Sequence, residues 1–463
     1  MKHIAVIDIG KTNAKVAIVD LSTLSETAIR KTPNSILNTG LYPHTDVESL
    51  WNFILESLKA LNQSHLIDAI IVTTHGATAA LLNEQGELAL PVLDYEFSGP
   101  NELSESYNSV RPDFSETGSP RLPIGLNLGA QIFWQQQKFS DAFAKATQLL
   151  MYPQYWSYRL SGVAAAEVTS LGCHTDLWLP RSGCYSPLVD ICGLSPLMPP
   201  LRQASDVLGP LRPELVNLTG LRGDTLVYCG LHDSNASLVP HLIQRTVPCA
   251  VVSTGTWVIA MAVGGKLPVL DSSRDTLLNV NAFGDCVPSA RFMGGREYQI
   301  IMEGVHAKPT HGDVLDVLKS GTMLLPSVAS GCGPFPTQTF KWIDAEQLTP
   351  EKRQIEVSFY LALMTATCLD LIGAEGDIIV EGPFSTNQLL LDMLAAATGR
   401  PVFVGSTTAT GTTIGAASLI AQKAADHPRK HPDHNSWHEQ LAAYAEAWRI
   451  YTRDERPNLS SKA

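Results

Sequence analysis

Residues 3–20, HIAVIDIGKTNAKVAIVD, constrain the fold more than any other stretch of the chain. Residues 3–8 are a compact apolar run ending in an acid, residues 9–13 are turn-like, and residues 14–20 are a second apolar run. Two such runs joined by a short polar turn make a β-hairpin. Its tip carries Gly10, Lys11, Thr12 and Asn13. The Gly-Lys-Thr triplet invites a P-loop reading. That motif needs a glycine five positions before Gly10, where Ala5 stands, and a helix directly after the Lys-Thr pair. A strand-like run follows instead, so the P-loop fails twice. Two readings of the tip remain: backbone amides with the Thr12 and Asn13 side chains touching phosphate, or an ordinary hairpin turn. Taken alone, the tip favours the ordinary turn. Asp8 at the strand end either serves Mg²⁺, through water because that ion dehydrates reluctantly, or shapes the turn.

The opening pattern returns half a chain later. Cys249 to Val252 is apolar, Ser253-Thr254-Gly255-Thr256 is a polar turn, and Trp257 to Val263 is apolar again. Glycine at such a tip lets the backbone approach a phosphate closely. A chain of 463 residues exceeds what one core accommodates. Two similar α/β domains are therefore expected, 1–245 and 246–463. Thr45-Asp46-Val47-Glu48 predicts a capping box, opening a helix with Val47, Leu50, Trp51, Ile54, Leu58 and Leu61 on one face. A strand at 68–73 follows, and strands alternating with helices indicate an α/β class. Residues 98–220, rich in Pro, Gly, Ser and Leu, predict an insertion on the first domain, with short helices such as 130–138. The second half predicts a strand at 377–381, a helix at 387–397, a strand at 401–404 and a helix opened by Gly411-Thr-Thr-Ile-Gly415. The His-rich stretch after residue 424 reads as a solvated linker before a last helix at 438–451.

Charge and composition exclude several classes. The net charge of −12 lacks the basic footprint that nucleic acids and membrane surfaces require. The N-terminal apolar run is short and ends in Asp8, unlike a secretory leader. No stretch reaches the length of a membrane span. Eight scattered cysteines without a C-x-x-C pair read as reduced, mostly buried thiols, and the compartment implied is the cytoplasm.

Other residues carry candidate chemistry. His232-Asp233-Ser234-Asn235 follows a predicted strand at 225–229 and Gly230. A carboxylate at a strand-to-helix junction suits a general base reaching a substrate hydroxyl, and equally suits a helix N-cap. Thr74-His75-Gly76 lies just beyond a strand, where α/β proteins bind ligands. His75 there is a sugar-hydroxyl partner or a satisfied loop histidine. Asp94-Tyr95-Glu96 is a second polar cluster, for gripping hydroxyls or forming a surface loop. His174 and Asp176 lack partners at metal-ligand spacing and read as structural.

In their order along the chain, these pieces resemble the FGGY carbohydrate kinase family over residues 3–422. The series runs from the first hairpin, with Asp8, Gly10 and Thr12, through Thr74-His75-Gly76, Pro91 to Glu96 and Trp134. It continues through Pro153 to Gly162, Thr169-Ser170, Gly230 to Asn235, Ser253 to Trp257, Gly382 to Asn387 and Gly411 to Ala417. The resemblance implies two RNase H-like domains of the actin/hexokinase type facing a cleft that closes on sugar. It assigns sugar binding to the N-terminal domain and nucleotide binding to the C-terminal one, with ATP and Mg²⁺ as cofactors. Asp233 takes the place of the catalytic base and Asp8 the Mg²⁺-associated position. Gly10, Thr12 and Asn13 with Thr254, Gly255 and Thr256 take the phosphate-binding turns. Gly382, Pro383 and Asn387 fall in the adenosine segment. His75, His232 and Asp233, with Glu96 in place of the usual acid, take the sugar contacts.

The chain departs from the family's pattern in two places. Pro383 and Phe384 stand where glycines are expected, and no arginine follows Asp94 to Phe97. His232-Asp233 and Ser253 to Trp257 look most like the rhamnulokinase and fuculokinase branch, which implies a ketose phosphorylated on its terminal hydroxyl. A xylulose or ribulose kinase, a sugar or nucleotide sensor of the same fold, and an actin-fold ATPase are the alternatives. The expected partners are a small sugar and ATP, without nucleic acid or membrane, and a homodimer is left open.

Overall fold

The computed structural model describes residues 1–244, 247–305, 307–345, 348–405, 411–423 and 437–454. The chain separates into two compact units: 1–245 with 278–286 and 410–426, and 246–277 with 287–409 and 427–463. It therefore returns twice to the first unit, a connectivity that the single expected boundary does not contain. The His-rich stretch lies outside the described residues. Among the described residues no helix is long and apolar enough to cross a membrane. None of the eight cysteines forms a disulfide.

In the first unit, β1 (His3–Ile9) and β2 (Asn13–Asp20) form the expected hairpin, with Asp8 opposite Lys15. β3 (Ser25–Pro33) extends it antiparallel. α1 (Val47–Asn62) buries Val47, Leu50, Ile54, Leu58 and Leu61, the apolar stripe of a surface helix. Its cap is Asp46, whose carboxylate accepts the Ser49 N–H at 3.1 Å, and not the expected Thr45–Glu48 box. Thr45 is committed elsewhere: it sits in a two-residue strand opposite Ile36, and its N–H donates to Val92 O. β4 (Ala69–Thr74), buried at every residue, lies parallel to β1. Burial on both faces suits a parallel strand that is apolar from Ala69 to Val72.

Residues 98–220 add α2 (Leu128–Lys138), α3 (Tyr152–Ser161) and an apolar cluster around Tyr107, Ile132, Met151 and Trp178. Val280 of the returning segment 278–286 is buried in that cluster, and Leu278 N–H donates to Gly118 O. β5 (Val207–Pro210), β6 (Leu226–Tyr228) and the short β7 (Leu231–His232) complete a sheet ordered β5-β6-β4-β1-β2-β3, with β7 also pairing β4. α4 (Asp233–Gln244) follows directly. Helix Gly411–Ala421 lies against α4 so closely that a Cβ on Gly415 would run into the Ala236 carbonyl.

The second unit repeats the plan. β8 (Cys249–Thr254) and β9 (Val258–Val263) are an antiparallel hairpin. With β10 (Thr276–Val280), β11 (Cys286–Phe292), β12 (Asp377–Glu381) and β13 (Val402–Val404) they form a sheet ordered β10-β11-β9-β8-β12-β13. β12 lies parallel to β8 and β13 parallel to β12. Three antiparallel strands followed by two parallel ones, β11-β9-β8-β12-β13, match β3-β2-β1-β4-β6 of the first unit. This is the RNase H-like arrangement, present twice. α5 (Gly294–Met302), α6 (Pro350–Leu371), α7 (Gln388–Thr398) and α8 (His438–Asp454) cover the second sheet. α6 is buried nearly all round from Ile355 to Leu369, as a central helix must be.

Candidate active site

Strand register brings the first unit's acids together. β1, β4 and β7 are parallel, so their C-terminal ends share one edge, where open α/β sheets bind ligands. Asp8 is level with Thr73, and Thr73 is level with Leu231. Asp8 and the residues after β7 thus flank one central strand, on the order of 10 Å apart across two strand spacings. Gly230 makes the turn into β7 at φ 81°, and a Cβ there would run into Val72 O. Asp233 then opens α4. Its Oδ1 accepts from Ser234 N at 2.5 Å and Ser234 Oγ at 3.3 Å, and lies 3.2 Å from His232 Nε2. All these contacts fall on Oδ1. Asp233 is thus the first residue of α4 and not the cap before it, and a carboxylate there is favoured by the helix dipole.

Burial pushes the Asp8 carboxyl up to about 6; Lys15 opposes the shift, and the Asp233 charge adds to it. Lys15 Nζ lies 3.6 Å from Asp8 Oδ2 and 3.2 Å from Glu26 Oε1. The Asp233 charge thus works against ionisation of Asp8 at this edge. Among the described residues no group of three or more His, Cys, Asp or Glu side chains is placed to hold a metal. A cation at Asp8 would therefore complete its shell with water and ligand oxygens, as Mg²⁺ commonly does.

His75 sits beside this edge, its N–H bonded to Ile9 O. Its Nδ1 faces Gly76 O at 3.0 Å, and a carbonyl can only accept, so Nδ1 carries the proton. Burial lowers its pKa, which keeps the ring neutral and leaves Nε2 as an acceptor. Tyr95 and Tyr152 pack around it, each ring 5.2 Å away. Lys11, without a role in the sequence reading, ion-pairs with Asp94, lies 3.4 Å from Glu96 Oε2 and stands 5.0 Å over the Tyr95 ring. The hairpin tip is thereby tied to the loop bearing Glu96, whose side chain remains 60% exposed.

Thr12 and Asn13 are exposed at that tip. Gly10 N–H closes the turn on Asn13 O, while Asn34, also missed from sequence, braces it by donating its amide to Gly10 O at 2.8 Å. His232 is buried; its N–H donates to Thr169 Oγ1 at 2.9 Å, and Thr169 donates to Glu167 at 2.5 Å. Asp176 accepts from Arg111 and Tyr107, the structural role expected of it.

In the second unit, Thr256 is exposed at the β8–β9 tip and Gly255 is half-buried. Thr254 is buried, its hydroxyl donating to Glu381 O and accepting Phe384 N–H at 3.1 Å. Its side chain therefore welds the tip to the segment after β12. Gly382, at φ 82°, is needed because a Cβ would run into Thr254 O. Pro383 opens a short 3₁₀ turn. Asn387 caps α7 through Leu390 N–H and donates to Ser358 Oγ at 2.9 Å, so both ends of its side chain serve the fold. Gly294-Gly295, which sequence left without a role, packs beneath the tip: Gly295 N–H donates to Thr256 O, and a Cβ on Gly295 would run into Gly255 O.

Two family models match this chain: the FGGY family of carbohydrate kinases, N-terminal domain, over residues 3–240, and carbohydrate kinase FGGY, C-terminal domain, over 246–429. The chain belongs to the FGGY carbohydrate kinase family. Among solved structures, a carbohydrate kinase from Novosphingobium aromaticivorans superposes with a TM-score of 0.91 at 35% identity, covering 98% of this chain and 99% of that one. Among curated relatives, an L-fuculokinase of Salmonella typhi is 22% identical over 57% of each chain. A rhamnulokinase of Enterococcus faecalis is 27% identical over 47% of this chain and 44% of its own. The matches span about half the length of these curated relatives.

Proposed function

We propose that this FGGY protein is an ATP-dependent sugar kinase, transferring the γ-phosphoryl group to the terminal hydroxyl of a ketose of the L-rhamnulose or L-fuculose kind. One observation carries the reading. Asp233 presents a carboxylate with Oδ1 anchored and Oδ2 clear of those contacts, beside a second acid that feels its charge. Asp233 accepts the sugar hydroxyl proton on Oδ2. The sugar oxygen attacks the γ-phosphorus, the bond to the β-bridging oxygen breaks, and ADP leaves. Such transfers depend on positioning and charge more than on covalent chemistry by the protein. His75 Nε2, His232 and Glu96 are assigned to sugar hydroxyls. Gly10, Thr12 and Asn13, with Gly255 and Thr256, are assigned to phosphates, and Gly382-Pro383 to the nucleotide. Thr254 and Asn387 are assigned to shaping these turns. Asp8 would hold Mg²⁺, which when bound would neutralise charge on the phosphate oxygens.

A coupled ADP-release screen over ketoses, polyols and lactones tests the reading, with sugar-dependent turnover as the expected result. Asp233→Asn should lose kcat by about 10²- to 10⁴-fold while keeping its unfolding midpoint. Near-native turnover in that variant would remove Asp233 from the mechanism. Pro383 and Phe384 favour a second reading, a sensor of the same fold. It expects ligand-dependent thermal stabilisation without turnover on any sugar of the panel.

A further inference from the structure

Lys11 stands inside the first hairpin tip, yet its side chain serves another part of the first unit. Thr12 and Asn13 beside it are exposed, whereas the Lys11 side chain is only 18% exposed. Its ammonium touches three consecutive residues of a distant loop. It ion-pairs with Asp94, lies 3.4 Å from Glu96 Oε2 and stands 5.0 Å over the Tyr95 ring. A turn built on the aspartate side chain brings the three together. Asp94 Oδ1 accepts the Glu96 N–H at 3.1 Å, Asp94 O accepts the Phe97 N–H at 2.9 Å, and the same Oδ1 takes Lys11.

The back of this loop is held without Lys11. Asp94 N–H donates to Pro43 O, and Tyr95 O accepts the Gly125 N–H. Gln131 of α2, itself buried, donates to Gly125 O and, at 2.6 Å, to Ala77 O, two residues past His75. The Tyr95 ring meets the His75 ring 5.2 Å away. The front is different. Among the described residues, Lys11 is the one cation paired with the Glu96 carboxylate and with the Asp94 carboxylate, which is 11% exposed. Removing the ammonium would leave two like charges two residues apart, one of them nearly buried. An exposed pair is worth little, but a buried carboxylate stripped of its partner is costly. The loop relieves that cost by opening toward water.

We infer that Lys11 is a positioning residue for the acceptor sugar: acting through Asp94, Tyr95 and Glu96, it clasps the loop assigned to sugar hydroxyls onto the tip assigned to phosphates. Acceptor and phosphate turn then keep one register. This role rests on the kinase reading, from which both assignments come. The tip's own turn, closed by Gly10 N–H on Asn13 O, uses no atom of the ammonium. Loss of the clasp therefore falls on the sugar and not on the nucleotide.

Lys11→Met tests this in the full chain, because it deletes the charge and keeps an unbranched stem over Tyr95. With the best acceptor of the ketose screen, its KM for sugar should rise about tenfold or more, while kcat and the KM for ATP stay near native. Lys11→Arg, whose guanidinium forks onto carboxylates, should return most of the sugar affinity. Asp94→Asn should raise the sugar KM in the native chain and add little in Lys11→Met. A second measurement needs no substrate. Amide hydrogen exchange at Glu96 and Phe97 should quicken in Lys11→Met, while the Gly10 amide keeps its native rate and unfolding midpoints serve as the control. Matching rises in the KM for sugar and for ATP, full additivity with Asp94→Asn, or native exchange at Glu96 and Phe97 would each overturn the role of Lys11. Absence of sugar-dependent turnover would sink the kinase reading instead, and the exchange rates would then decide the clasp alone.

Discussion

Asp8 shows how one buried carboxyl can cost stability. Its pKa is raised from 3.8 to about 6, mainly by burial. Between those values the folded chain binds the proton and the unfolded chain does not, so this group's contribution falls as pH rises through the window. Above about 6 the whole penalty is in place. Asp8→Asn should therefore raise the unfolding free energy at pH 7.5 by about 3 kcal/mol, with a higher midpoint, and change it little at pH 4. Turnover should fall in the same variant. An equal midpoint gain at both pH values would show that Asp8 is not titrating as assigned. The places of Asp8 near a strand end and Asp233 at a helix start were legible because each ends or follows an apolar run. The contacts of Lys11 and Asn34 were not. Lys11 meets Asp94 across 83 positions, and no local pattern encodes such a distance.

The elements that carry these residues depend on a few backbone positions. Gly230 turns the chain from β6 into β7 with a left-handed φ of 81°, its missing Cβ facing Val72 O. Gly230→Ala should shift β7 and the start of α4 without touching any reacting group. Because small misplacements of catalytic groups cost about 10²-fold, kcat should fall by that order, accompanied by a lower unfolding midpoint. Circular dichroism and steady-state kinetics on one preparation check both. A variant with a lowered midpoint and native kcat would show that this turn does not place Asp233. At this scale the sequence was most readable. Both hairpins, α1, α7 and the strand at 377–381 lie where hydrophobic periodicity put them. The α1 cap was misread because Asp46 and Thr45 are both good caps, and only the pairing of Thr45 with Ile36 excludes it. Gly294-Gly295 was opaque because its reason is the underside of a turn some 40 residues earlier.

At the scale of the molecule, the two returning segments matter most. Helix Gly411–Ala421 is far from the first unit in sequence, yet Ile414, Ala416, Ala417 and Leu419 are buried in one cluster with Ile4, Val6, Ala69, Ile71, Ala236 and Val239. Gly415 makes that approach possible by leaving the Ala236 carbonyl uncrowded. Val280 does the same service for the cluster around Trp178. A cut at residue 245 respects the family boundary but strips both segments away. The exposed face includes sheet and helix residues that are fully buried in the intact chain, and a core emptied of side chains loses burial energy and cavity energy together. Residues 1–245 alone should therefore bind a hydrophobic dye and unfold without a sharp transition. A supplied peptide spanning 410–426 should sharpen it, whereas the same peptide carrying Gly415→Leu should not. Cooperative unfolding of 1–245 at the temperature of the full chain would refute this dependence. It would also make the first unit a continuous domain after all, contrary to the way the chain threads back into it.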